Sequence, residues 1–264
     1  MRILAVVVTA LLAAHPLPAM AWGKTGHRAA SAIAERYLSP QAIAGVATIL
    51  GRETLAEAST WPDFMRSDPG EFWRSTASPW HYVTIAPGKA YADVGAPAEG
   101  DAVTALARFS ATVRDPAAPL PERQLALRFI VHIVEDLHQP FHVGNGSDRG
   151  GNDVDQFFGR DTTLHALWDE ALIDEEKLSF TEWADKLSRR IEPDQLRKWS
   201  DPDPMTWVAE SARIRDGLYP VGQNLRFEYG FQHLATLELR LAQAGVRTAA
   251  YLNQLFAAER TTTR

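Results

Sequence analysis

The sequence predicts an all-α fold, a single compact and mostly helical domain with long loops. Apolar residues recur at helical spacing over most of the chain, and several of these runs begin at a proline or an aspartate, as first helical turns often do. Strand signals are scant by comparison. No linker rich in proline, glycine or serine and no internal repeat divides residues 22–264, so we expect one domain there.

The individual elements follow from this spacing. Seven segments carry the helical pattern, in chain order 25–38, 40–50, 101–114, 121–138, 181–190, 203–219 and 229–256. In the last of them an apolar stripe is interpreted as core packing; it consists of Leu234, Leu237, Leu241, Ala244 and Val246. Two short extended pieces fit residues 81–85 and 154–158.

Residues 1–21 have the features of a secretory signal peptide. A positive charge precedes an apolar stretch, and a small-x-small cleavage site ends at Ala21. The stretch is too short to span a bilayer, which takes about 20 apolar residues, and no later segment approaches that length without charges. We therefore expect a secreted or periplasmic protein without membrane insertion, whose mature chain begins at Trp22.

Composition and charge restrict the chemistry. The chain contains no cysteine, and its formal net charge is −6. Without cysteine there are no disulfides, and any metal site must use nitrogen and oxygen ligands. An acidic chain does not hold nucleic acid through a broad basic surface. If it binds phosphate groups, local cations such as metal ions must supply the attraction.

One short segment concentrates candidate metal ligands. His132 and Asp136 are four residues apart in the helix predicted for 121–138, so both project from one face toward a shared ion. Pro140 is expected to end this helix, and the chain beyond it can then bring His142 to a neighbouring position.

A second pair, His165 and Asp169, repeats the same four-residue spacing. One such pair on its own is more often structural than ligating, and His138 and His233 are interpreted as structural histidines. Two pairs in a chain without cysteine favour imidazole and carboxylate coordination of zinc.

Six motifs together resemble a known protein family. They are Trp22-Gly-Lys-Thr-Gly-His27, Ser59-Thr-Trp-Pro-Asp63-Phe-Met-Arg66, Trp80-His81-Tyr82, His132-x3-Asp136-x5-His142, Gly150-Gly-Asn-Asp153 and His165-x3-Asp169. Their types and order are similar to those of the zinc-dependent single-strand nucleases of moulds and plants, which also act as 3′-nucleotidases and have bacterial relatives. The resemblance covers residues 22–169 by motif, and the remainder only by helical character.

The resemblance implies a helical fold with three Zn²⁺ at the bottom of a cleft. A buried first zinc would be held by Asp63, His81, His132 and Asp136. A second would be held by His27, Asp136 and the amino group and carbonyl of Trp22, so that Asp136 bridges the pair. A third, more exposed zinc would be held by His142, His165 and Asp169.

The resemblance also implies hydrolysis of single-stranded DNA and RNA to 5′-phosphorylated products, with 3′-nucleotidase activity. In the mechanistic hypothesis, the zinc pair held by Asp63 and Asp136 shares a hydroxide that attacks phosphorus in line, while the third zinc stabilises the departing 3′-oxygen. Arg66 would clamp a phosphate oxygen and stabilise the transition state. Its alternative interpretation is a surface salt bridge.

Four residues are candidates for substrate binding. Tyr82 follows His81, where the family tends to place an aromatic ring that stacks on a base; it could instead pack beneath the metal site. Asn152 and Asp153 lie in a glycine-rich turn that could read a base edge, although turn chemistry alone explains that turn. Lys24 could approach a phosphate or be solvated.

Two other functions remain open at this point. Bacterial zinc phospholipase C is similar in its ligand order, but it uses glutamate as the final ligand where this chain has Asp169. A periplasmic zinc-binding protein without catalysis would need neither Arg66 nor a bridging Asp136. For the nuclease we expect single-stranded nucleic acid and nucleotides as substrates, no stable protein partner, and a monomer.

Overall fold

The computed structural model describes residues 22–225 and 227–257, and α-helices predominate in them. Their α-helices in chain order are α1 Gly23–Ala34, α2 Pro40–Leu50, α3 Leu55–Ala58, α4 Trp61–Met65, α5 Tyr91–Val94, α6 Ala102–Arg114, α7 Leu120–Asp136, α8 Leu164–Ala166, α9 Leu172–Glu175, α10 Phe180–Ser188, α11 Pro193–Trp199, α12 Pro204–Arg215 and α13 Phe227–Leu255. The predicted all-α class is confirmed. Across these residues, no helix combines the length and apolarity needed to cross a bilayer. The predicted signal peptide, 1–21, lies outside them.

Short elements connect the helices. Strand β1, Val83–Thr84, pairs in parallel with β2, Val143–Gly144, while β3, Asp155–Phe157, pairs antiparallel with β4, Asp161–Thr163. The predicted extended pieces thus exist but are shorter than predicted. The turns are 3-10 helices at Glu35–Tyr37, Ser78–His81 and Pro140–His142, and π-helical turns at Phe72–Thr76 and Leu167–Ala171. Because β1 follows His81 and β2 follows His142, their pairing brings these two histidines together.

Helix α7 is the central element. Every residue from Phe129 to Asp136 is buried, so this part of the helix has no face toward solvent. Helices α1, α2, α3, α6 and α13 pack around it. Polar groups buried without partners are costly, and the polar side chains of His132, Glu135 and Asp136 must therefore find partners inside the protein.

Two apolar clusters flank this helix. The first joins α7 to α2, α6 and the end of α13, and the second joins α1, residues 164–173 and α10 to the middle of α13. The core interpretation of the α13 stripe is confirmed, because Leu237, Leu241, Ala244 and Val246 are buried and Leu234 packs against the second cluster.

The central helix ends earlier than predicted. It stops at Asp136, two residues before the predicted end and four residues before Pro140, and proline removes the hydrogen bond to the carbonyl four residues back. The amides of His138 and Gln139 bond to carbonyls three residues back, which tightens the chain out of the α-helix. The carbonyl of Leu137 accepts a hydrogen bond from Ser211 Oγ at 2.6 Å instead. The predicted helices 25–38 and 203–219 also end early, at residues 34 and 215.

Gly245 allows α13 to lie directly against α1. A Cβ atom built at this position would stand 2.5 Å from Ile33 Cβ and 2.7 Å from the Ala30 carbonyl oxygen. Real side chains do not approach so closely, so any larger residue would push the two helices apart. The position of α1, which carries His27, therefore depends on this glycine.

We expect Gly245→Ala to lower the free energy of unfolding by about 1–3 kcal/mol, because the added methyl group overpacks the contact. Gly230→Ala is the matched control in the same helix, where the nearest atom to a built Cβ is 3.7 Å away. That variant should be neutral or more stable by up to about 1 kcal/mol, because alanine favours helix. Urea unfolding measures both, and equal stabilities would contradict the close contact.

Candidate metal centre

The side chains of all predicted histidine and aspartate ligands lie in one buried region. They come from α1, α4, α7, α8, two 3-10 turns and the π-helical turn that follows α8. None of the eight residues is more than 5% exposed: His27, Asp63, His81, His132, Asp136, His142, His165 and Asp169. Residues far apart in sequence thus meet at the C-terminal half of α7.

The first group surrounds a common point. His132 Nε2 lies 3.1 Å and His81 Nδ1 3.3 Å from Asp136 Oδ2, and these two ring nitrogens are 2.8 Å apart. Asp63 Oδ1 lies 3.8 Å from His132 Nε2 and 3.9 Å from His81 Nδ1. A metal-binding site presents its ligand atoms in this arrangement, with four of them facing a common point.

His27 extends the cluster on the other side of Asp136. Its Nε2 lies 3.3 Å from Asp136 Oδ1, whereas the group of His81 and His132 faces Oδ2. The carboxylate of Asp136 is therefore shared between two sets of histidines. The Trp22 side chain is fully buried next to this set, and its indole Nε1 donates to the backbone oxygen of Glu135 at 2.9 Å.

The third group lies at the end of the cluster. His165 Nε2 is 3.2 Å from Asp169 Oδ2, and His142 Nε2 is 3.8 Å from Asp169 Oδ1. The predicted proximity of His165 and Asp169 is confirmed, although a π-helical turn follows α8 between them. Gln139 Nε2 donates to Asp169 Oδ1 at 2.5 Å, which fixes the carboxylate.

Hydrogen bonds at Nδ1 fix the orientation of most of these histidines. The acceptors are Ser59 O for His132, His81 O for His142, Gly150 O for His165 and a Glu135 carboxylate oxygen for His27, all at 2.6–2.7 Å. An imidazole that donates from one nitrogen offers the other as a lone pair. Nε2 of each ring therefore points into the cluster as a ligand atom.

The residues fit a metal centre, because several buried polar atoms have no hydrogen-bond partner of acceptable geometry. They include His27 Nε2, Asp63 Oδ1, both carboxylate oxygens of Asp136, His142 Nε2 and Asp169 Oδ2. Nearly all buried polar groups in native proteins are bonded, so their concentration at one place calls for a cation. A donor set of imidazole and carboxylate without sulfur suits zinc.

The pKa shifts of these residues also fit a bound cation. Burial raises the pKa of Asp63 and Asp136, and burial together with neighbouring histidines lowers the pKa of His27 and His81. Burial opposes the charge of His132 too, but Asp136 and Asp63 outweigh it and raise the pKa of His132 to about 9. A bound divalent cation would favour the carboxylate and neutral imidazole forms that ligation requires.

Glu135 is a functional residue that the sequence analysis missed. Its buried carboxylate accepts hydrogen bonds from His27 Nδ1 and Ser31 Oγ, each at 2.6 Å. His27 and Ser31 are four residues apart on α1, and Glu135 directly precedes Asp136. The sequence offered two signals, the spacing of His27 and Ser31 and the position of Glu135 next to Asp136. Neither signal identifies a partner more than a hundred residues away. A carboxylate behind a ligating histidine holds its ring and raises its basicity.

Of the other predicted residues, Arg66 lies at the centre, and Tyr82 directly follows the predicted ligand His81. Arg66 is partly buried, and its Nη1 is 3.7 Å from Asp63 Oδ1, which places a cation directly beside the first group. Tyr82 is 44% exposed, so much of its ring is accessible to a ligand.

The remaining three predicted residues have other surroundings. The Asn152 amide donates to the Arg149 carbonyl at 2.9 Å, and Asp153 accepts from Arg149 Nε at 2.9 Å, so both take part in the turn itself. Lys24 is exposed next to the cluster, on the first turn of α1. His138 is structural, as interpreted from the sequence, because its Nδ1 bonds the Val134 carbonyl.

A helical fold around three adjacent groups of histidine and aspartate defines a class of proteins with a buried multinuclear metal centre. The family model of the S1/P1 nuclease matches residues 22–257, and the chain belongs to that family. It is 28% identical to endonuclease 4 from Arabidopsis thaliana, over 91% of each chain. It is also 28% identical to nuclease S1 from Aspergillus oryzae, over 88% of this chain and 91% of the relative.

Nuclease P1 from Penicillium citrinum is a further relative, again 28% identical, over 90% of this chain and 99% of the relative. The resemblance drawn from the motifs is thereby confirmed. The chain is a nuclease, a hydrolase that acts on nucleic acid. The family match and the names of these relatives favour this activity over phospholipase C and over zinc storage.

We expect Glu135→Ala to weaken metal binding by about 10- to 100-fold, because His27 loses the carboxylate that orients it. Glu135→Gln keeps one acceptor oxygen and should fall between this variant and the wild type. Ser31→Ala is the control, because it removes the other partner of Glu135 and leaves the bond to His27. Metal per chain, measured after dialysis against graded chelator, tests the series. Unchanged retention in a folded Glu135→Ala protein would contradict the role.

Proposed function

We propose that this nuclease is exported, loses residues 1–21, and hydrolyses single-stranded DNA and RNA to 5′-phosphorylated products with the aid of three Zn²⁺. Hydrolysis of 3′-nucleotides belongs to the same proposal. The observation that carries it is the set of three adjacent histidine and aspartate groups, each with ligand atoms within 4.8 Å of one another. In the same proposal the protein is a monomer without a stable protein partner.

The proposed ligand assignment distributes the residues of these groups over three ions, with His132 at the first ion only. Asp63, His81, His132 and Asp136 hold the first ion. His27, Asp136 and the new amino terminus and carbonyl of Trp22 hold the second. His142, His165 and Asp169 hold the third. Support comes from the shared carboxylate of Asp136, whose Oδ2 lies toward the first set and Oδ1 toward His27.

Removal of residues 1–21 is part of this assignment. A chain that still carries Ala21 has an amide at Trp22, and an amide nitrogen is a poor ligand where an amine is a good one. The proposal is supported by the burial of Trp22 and by the bond from its indole to the backbone oxygen of Glu135, the residue that precedes Asp136.

Zinc bound at these residues would supply positive charge to a phosphodiester and acidify a bound water, which lowers its pKa toward about 7. The protein itself contributes position and charge. Glu135 and the backbone acceptors hold the histidine rings, and burial excludes water from the ligand side of the cluster. Arg66 is held next to Asp63 and can donate to a non-bridging phosphate oxygen as charge accumulates there.

A preference for single strands is supported by Tyr82. Its ring is half exposed and directly follows His81, so a base next to the reacting phosphate can stack on it. Bases in a duplex are already stacked and paired, and they are therefore less available to the ring. Asn152 and Asp153 are proposed to contact the base as well, after exchange of their bonds to Arg149.

We expect Arg66→Ala to reduce kcat by about 10²- to 10³-fold, the usual cost of removing a donor that stabilises transition-state charge. Zinc content should not change, because Arg66 is not a ligand. Arg36→Ala is the control, because it removes an exposed arginine that pairs with Asp185. Steady-state kinetics and metal analysis of both variants test the role. Wild-type turnover in Arg66→Ala would remove it from the mechanism.

The substrate and metal are tested with purified mature protein. We expect hydrolysis of single-stranded DNA, RNA and 3′-nucleotides, loss of all three activities on chelation, and their return when zinc is added. Phosphatidylcholine in the same assay should remain intact. Turnover of phospholipid without cleavage of nucleic acid would overturn the proposal, and so would tight zinc binding without any turnover.

A further inference from the structure

A groove of about 550 Å³ lies next to the metal centre, between α1 and the segment that contains α3 and α4. Lys24 and Arg28 line it from α1, and Arg52, Trp61 and Phe64 line it from the other side. Its volume is in the range of ligand-binding pockets. Phe64 directly follows Asp63 in α4, and Arg28 directly follows His27 in α1, so each wall of the groove belongs to an element that also carries a predicted metal ligand.

The groove is positively charged within an acidic protein. Three cations line the groove against two acids, Glu53 and Glu57. Arg128, which is outside the lining, pairs with Glu53 through hydrogen bonds at 3.0, 3.2 and 2.7 Å, whereas Glu57 caps α3 through Thr54 and keeps its charge. Among the described residues, neither Lys24 nor Arg52 forms an ion pair, and both are exposed.

The groove also presents an aromatic surface. Phe64 is 65% exposed, although its neighbour Asp63 is buried, so α4 turns one side chain into the cluster and the next one outward. Trp61 forms part of the wall, and the guanidinium of Arg128 stacks on its ring at 4.7 Å. Exposed rings beside cations form the kind of surface that binds unpaired bases and their phosphates.

We propose that this groove binds the part of a single-stranded substrate that extends beyond the scissile phosphodiester. Arg52 and Arg28 contact its phosphates, and Phe64 stacks on a base. The cations of the groove are complementary to a polyanion, and both walls carry direct sequence neighbours of predicted metal ligands, Arg28 after His27 and Phe64 after Asp63. The inference rests on the nuclease activity, and it makes long single strands better substrates than dinucleotides.

Two substrates distinguish a variant's effect on the groove from its effect on the catalytic centre. One is a dinucleoside monophosphate, and the other is a single-stranded oligonucleotide of about 12 residues, within the usual site sizes of such proteins. We expect Arg52→Glu and Phe64→Ala each to raise KM for the oligonucleotide by about fivefold or more, because a phosphate contact or a stacking contact is lost. The kcat for the oligonucleotide and the kcat/KM for the dinucleotide should stay at the wild-type value.

Salt gives a second readout. The logarithm of single-strand affinity falls with the logarithm of salt concentration by about 0.7 for each phosphate contact. Arg52→Glu should reduce this slope by at least that amount, whereas Phe64→Ala should leave it unchanged. The matched controls are Lys198→Glu, which makes the same change of charge, and Phe231→Ala, which makes the same substitution; both positions are exposed and outside the groove.

These measurements distinguish substrate binding in the groove from effects on the metal centre or on the fold. An unchanged KM for the oligonucleotide in both variants would overturn the proposal. An equal loss on both substrates would also overturn it, because the residues would then act on the centre or the fold. If the wild type cleaves neither substrate, the proposed activity fails, and anisotropy with a cleavage-resistant phosphorothioate strand still tests the groove. Weaker binding by Arg52→Glu would then support it, and equal binding would refute it.

Discussion

The structure depends on the burial of three polar side chains in the central helix. His132, Glu135 and Asp136 lie in a part of α7 that has no face toward solvent, and such groups are tolerated only with partners. The partners come from across the chain: Ser59 O orients His132, and His27 and Ser31 bond to Glu135. Asp136 keeps both oxygens without a hydrogen bond. The surrounding helices therefore serve to bring partners and further ligands to α7, and the apolar clusters hold them there.

Helix α1 connects the chemistry to the surface. His27 and Ser31 lie one turn apart and face Glu135, whereas Lys24 and Arg28, also one turn apart, line the groove. One helix thus presents neutral ligands inward and cations outward. The position of α1 is set by its close contact with α13 at Gly245. This contact therefore affects both the ligand cluster and the groove. This separation of charge lets a protein with a net charge of −6 attract a polyanion locally.

Local features of the site could be predicted from spacing, and distant ones could not. The proximity of His132 to Asp136 and of His165 to Asp169 follows from a four-residue separation on a helix. The assembly of His27, Asp63 and His81 with them depends on contacts between distant segments, and only resemblance to a family indicated it. Glu135 was missed because its partners lie on α1. Helices α3 and α4 were missed because four or five residues are too few to show a period. Helix α7 ends early because the amides of His138 and Gln139 bond to carbonyls three residues back instead of four.

Trp22 has a consequence for maturation. Its side chain is fully buried, packs in the second apolar cluster and bonds the backbone of α7. In the proposed mature enzyme the first residue of the chain is therefore a core residue, whereas the first residues of most proteins are poorly ordered. A cut one residue too late would delete a large buried side chain, and a cut too early would add chain inside a packed interior. Among the possible starting residues, only Trp22 would then fit the packed position that the fold provides.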